Sequence, residues 1–181
     1  MDRRHGGRLK SFAWARACGR GAFFFRQKHS GGFRLVAWTS ELPQLKRLVY
    51  SILDTFPEEV EVLLKLREKE FDDRFSRYLG PVRRDKLIET MKVKEPFVFA
   101  DGGSQLCVKR LDTDEFIALD DHGILFIYSD SPQFVDLCRR KGLKRQRRAL
   151  IYAHDHWHIR RKDSVRVGRG LVKALGLELV D

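Results

Sequence analysis

The sequence predicts an α+β domain: a mainly antiparallel sheet, built from a meander over about 97–129 and a further strand over about 148–160, with helices packed on one face. Three observations lead there. Strand-like runs outnumber helical ones. The runs after Pro96 are short and separated by turn residues, so their pairing is local. One segment, 41–54, carries its apolar residues at clean helical spacing.

The opening MDRRHGGRLK is charged and Gly-rich, and residues 1–20 are expected to form a flexible basic segment ahead of a single domain over 21–181. AFFFRQ and FRLVAWT flank KHSGG, and two aromatic runs around a Gly-containing loop predict a hairpin of 22–27 with 33–39. Ser40 can cap the next helix, Glu41 suits its positive end, and Pro43 is tolerated in the first turn. Leu42, Leu45, Leu48, Val49, Ile52 and Leu53 then form one stripe. In PEEVEVLLKLREKE, Val60, Val62, Leu64 and Leu66 alternate, which predicts a strand over 59–67. Thr55 with Glu58 resembles a capping box, so a helix running towards Gly80 is the rival. RRDKLIETMK predicts a helix over 83–92 after Gly80-Pro81.

FVFA, QLCVKRL, EFIALD and GILFIYS make up the meander, separated by DGGS, DTD and DHG. Ser131-Pro132 opens a helix and Gly142 closes it. ALIYAHDHWHI reads as a strand, and 164–176 as a final helix weakened by Gly168 and Gly170. The expected core includes Leu45, Leu48, Ile52, Phe97, Leu106, Phe116, Ile117, Leu125, Ile127, Phe134 and Ile151.

The apolar runs are too short to span a membrane, and the first twenty residues lack the apolar stretch of a secretory signal. Cys18, Cys107 and Cys138 are far apart, odd in number and form no CxxC pair, which suits free thiols in a reducing, cytoplasmic setting. Charge is uneven. Residues 1–34 are net +8, residues 35–138 net −6, and residues 139–181 net +9. A surface built from the two ends would attract polyanions; the basic ends could equally lie against the acidic middle.

Two stretches carry chemistry. In YAHDHWHIRRK, a straight strand would place His154, His156 and His158 on one face with Tyr152 and Arg160. Same-face neighbours sit roughly 6.6 Å apart, so two of them can share a zinc ion at about 2.0–2.1 Å, but three in line converge badly. A third ligand would come from His122, Asp120 or Asp121 in the DDHG turn. A turn at Asp155-His156 would instead scatter the histidines. The bland alternative is an exposed polar strand face. The second stretch, RRKGLKRQRR, supplies Arg139, Arg140, Lys141, Lys144, Arg145, Arg147 and Arg148, and Trp157, Arg160, Arg161 and Lys162 extend it if helix and strand are neighbours. Such a surface offers phosphate contacts and stacking. Its bland alternative is a soluble loop.

No GxSxG, GxxxxGK[ST], HExxH or GxGxxG motif is present. Cys107 would need a lowered pKa and a base to act as a nucleophile. The leading expectation is therefore a small, non-catalytic binding domain without a cofactor, whose basic surface takes a polyanion, nucleic acid first and an acidic protein second. The rival is a metal-dependent, hydrolase-like enzyme using zinc or another divalent transition metal at the HDHWH stretch. A protein-interaction module of immunity or antitoxin type is the third alternative.

Overall fold

The computed structural model describes residues 21–29, 32–68, 74–147 and 162–180. Over these residues the protein is mixed α/β, with one nine-stranded, mostly antiparallel sheet and five helices. The strands are β1 (Ala22–His29), β2 (Gly32–Thr39), β3 (Glu59–Leu66), β4 (Ser76–Arg83), β5 (Ser104–Arg110), β6 (Phe116–Leu119), β7 (Leu125–Tyr128), β8 (Lys144–Arg145) and β9 (Glu178–Val180). The helices are α1 (Leu42–Leu53), α2 (Arg84–Val93), α3 (Glu95–Ala100), α4 (Pro132–Arg140) and α5 (Ser164–Leu175). Strand order is β8-β1-β2-β7-β6-β5-β3-β4-β9. Only the β1–β8 pair is parallel. Among the described residues no helix is long and apolar enough to cross a membrane.

The core follows from strand parity. Phe24, Leu35, Val60, Val62, Leu64, Leu106, Val108, Ile117, Leu125 and Ile127 alternate along their strands and join one buried cluster. Leu48 and Ile52 of α1, Leu87 and Met91 of α2, Phe97 of α3, Phe134 of α4 and Leu171 of α5 complete it. Each such side chain contributes about 1.5–3 kcal/mol by leaving water.

Several expected elements are present: the β1–β2 hairpin, α1, the strand reading of β3, α2, α4 and α5, although α1 begins after Glu41 rather than Ser40 and no side chain caps it. Gly142 follows α4 at φ 82° and Gly176 follows α5 at φ 74°, the left-handed turn that glycine adopts at no steric cost. Others are corrected. FVFA is not the first meander strand but the body of α3. Pro96 sits in its first turn, and Phe97, Val98 and Phe99 are all buried, which a strand with one exposed face does not allow. β4 contains Gly80-Pro81, which the sequence suggests as a break. β9 pairs only with Arg77 to Leu79, so the missing N–H of Pro81 costs no hydrogen bond on that side. Phe116 is only half-buried and lies outside the core cluster, because Ile117 beside it takes the inward position. Residues 1–20, Ile151 and the strand expected over 148–160 lie outside the described residues.

Candidate functional site

The basic run 139–147 is divided by the structure. Arg139 and Arg140 occupy the last turn of α4, where positive charge complements the negative helix end. Arg139 also pairs with Asp136 at 3.1 Å. Gln44 donates from Nε2 to the Lys141 carbonyl at 2.7 Å and ties this corner to α1. The chain then turns at Gly142, buries Leu143 and becomes β8, the end strand of the sheet among the described residues.

Lys144 lies opposite Phe23 and Arg145 opposite Phe24, and the Gln146 N–H donates to the Phe24 carbonyl at 2.9 Å. By parity, Arg145 shares a face with Phe24 and Arg26, while Lys144 takes the other face. Arg26, Arg145, Gln146 and Arg147 line a depression of about 460 Å³. A second depression of about 200 Å³ shares Arg26 and Arg145 and reaches Ser131 and Pro132 at the start of α4. Arg140, Lys144, Arg145 and Arg147 are exposed and form no ion pair among the described residues.

Arg26 pairs with Asp130 at 3.1 Å in solvent, an interaction worth about 0–1 kcal/mol that a stronger anion can displace. Its guanidinium carbon lies 4.0 Å from the centroid of the Phe33 ring. Phe33 is 42% exposed, so a large aromatic ring stands open beside the guanidinium. Lys28, also exposed, is the cross-strand partner of Phe33. Sequence reasoning missed Arg26, Lys28 and Phe33. The available signal was the mixture of basic and aromatic residues on both arms of the first hairpin.

Lys162 is exposed and leads into α5, which packs against α2, α3 and β3 on the far half of the sheet order from β8. Arg148, Trp157, Arg160 and Arg161 lie outside the described residues, as do His154, His156 and His158.

The DDHG turn between β6 and β7 is a closed polar knot. Asp120 Oδ1 accepts the N–H of His122 at 3.0 Å and of Ile124 at 2.7 Å, and Gly123 follows with φ 74°. His122 Nδ1 lies 3.2 Å from Asp120 Oδ2 and 3.1 Å from Asp121 Oδ1. Asp121 is buried, accepts from Gln105 Nε2 at 3.2 Å and has Arg67 at 3.8 Å. Burial opposes a charge on His122, but hydrogen bonds to Asp120 and Asp121 outweigh it and push the pKa up to about 9. Its protonated form is therefore favoured at neutral pH, with the Nδ1 proton facing both carboxylates. The same three groups bring ligand atoms within 4.8 Å of one another, and a divalent cation would have to displace that proton.

Cys107 is half-buried on β5, and desolvation pushes its thiol pKa up against a smaller opposing effect of Lys65, the opposite of thiolate activation. Comparison of the chain with protein-family models, curated proteins and solved structures finds no match.

Proposed function

We propose that the protein works by binding, without catalysis, and that the β1–β8 edge of the sheet takes a phosphate-bearing polyanion, single-stranded nucleic acid first. In this account the helices pack on one face and the meander stiffens the middle of the sheet. The edge strand β8 then holds the guanidinium groups in place. The observation that carries the proposal is the convergence of Arg26, Arg145 and Arg147 on one depression beside the exposed ring of Phe33. Guanidinium groups match phosphate oxygens in a two-pronged geometry, and an open ring gives a base a stacking platform. Arg145 and Arg147 form no ion pair among the described residues, so no internal partner has to be released.

The test is fluorescence anisotropy with a labelled single-stranded oligonucleotide. Arg145→Ala with Arg147→Ala is expected to weaken binding about tenfold or more, since each charged hydrogen-bonding contact is worth about 1.5–3 kcal/mol. Unchanged affinity in the doubly substituted protein overturns the proposal. Capture of an acidic protein with no affinity for nucleic acid would reassign the surface to that partner.

A further inference from the structure

A second surface lies elsewhere on the sheet. The strand residues that alternate with the core set form cross-strand rows, because the registers bring Leu79, Leu63, Cys107, Ala118 and Phe126 into line from β4 through β3, β5 and β6 to β7. This row is wholly apolar. It spans four inter-strand spacings, roughly 19 Å at about 4.8 Å each. Polar rows flank it: Glu61 and Lys109 on one side, Lys65 and Gln105 on the other. Together they bound a cavity of about 650 Å³. That volume falls within the roughly 300–1,000 Å³ usual for small-molecule sites, and an apolar floor with a few polar groups is their usual construction.

The charge of the cavity selects a ligand. Lys109 pairs with Asp114 at 3.4 Å, and Asp120 and Asp121 are matched by His122 and Arg67. Arg34 is positioned by neutral groups: Nε donates to Gln27 Oε1 at 2.9 Å, Nη1 donates to the Tyr128 hydroxyl, and the guanidinium lies over the Phe126 ring at 4.3 Å. Lys65 and Arg34 have no carboxylate partner among the described residues, against one acid in the same position, Glu61. Among the described residues, the uncompensated charge is positive.

We infer that this cavity binds an elongated apolar carboxylate, its chain lying over Leu63, Cys107 and Ala118 and its headgroup on Lys65. The site is independent of the β1–β8 edge, and neither stands or falls with the other. Cys107, in the floor, reports occupancy. In a Cys18→Ser variant of the full chain the reactive thiol is Cys107, since Cys138 is buried. Dodecanoate below its micelle concentration is expected to slow maleimide labelling of Cys107 about tenfold or more, while dodecyltrimethylammonium has little effect. Lys65→Glu should remove the protection. Ala118→Trp, which fills the floor, should abolish calorimetric binding of dodecanoate in a protein whose circular dichroism is unchanged. Absence of protection by dodecanoate overturns the inference, as does equal protection by the cationic chain or protection that survives Lys65→Glu.

Discussion

Two glycines of α5 look alike in sequence and should respond in opposite ways to the same substitution. A Cβ at Gly168 would stand 2.6 Å and 2.9 Å from the two methyl carbons of Leu66 and 3.0 Å from Cζ of Phe97. Leu66 is fully buried and Phe97 nearly so, hence neither can swing into solvent to make room. A Cβ at Gly170 meets nothing within 4 Å. Alanine in place of a helical glycine gains about 1 kcal/mol of helix propensity at either position. At Gly168 overpacking of the core costs about 1–3 kcal/mol against that gain. Gly168→Ala should therefore lose up to about 2 kcal/mol, whereas Gly170→Ala should gain about 0.5–1 kcal/mol. Urea unfolding reads both, provided the slope with denaturant is unchanged. If Gly168→Ala proves as stable as Gly170→Ala, the close approach of α5 to β3 is wrong, and with it the packing of that half of the sheet.

The His122 knot makes stability depend on pH. Its folded pKa of about 9 lies above the ordinary value of 6.5, so its stabilisation is complete below about 6.5 and is lost as pH rises through 9. A loss of roughly 1–3 kcal/mol between pH 6.5 and 9.5 is expected from urea midpoints and should vanish in His122→Gln; an equal loss in that variant would contradict the bridge. Phe33→Ala should leave the unfolding free energy within about 0.5 kcal/mol of the parent, because the ring is exposed. The same change should weaken oligonucleotide binding by about 1–3 kcal/mol, as loss of one stacking platform does, and unaltered anisotropy titrations would rule out stacking there.

Local signals were legible and distant ones were not. α1 and α4 were readable because Pro43 and Pro132 mark their first turns and the apolar stripe is regular. β3 was readable from Val60, Val62, Leu64 and Leu66, whose inward positions alternate with Glu61, Leu63 and Lys65. Phe97 to Phe99 misled because a short apolar run fits a buried strand and a buried helix equally well. β4 was hidden by Gly80-Pro81, whose tolerance depends on how far β9 reaches. β8 carries no strand signal of its own. Its two residues pair because β1 offers a free edge, and β1 lies far upstream in the chain. The candidate site shows the same division. The density of basic residues in 139–148 was visible, but the splitting of Lys144 from Arg145, and the joining of Arg145 to Arg26 and Phe33, are consequences of register.

The salt dependence of oligonucleotide binding tests the central claim most directly. Each phosphate neutralised on a single strand contributes about 0.7 to the slope of log affinity against log salt. Replacing Arg26, Arg145 and Arg147 with alanine removes the three guanidinium groups that line the depression among the described residues. The slope should become shallower by about 2. An equal slope in the parent and the substituted protein would place the polyanion elsewhere and contradict the account.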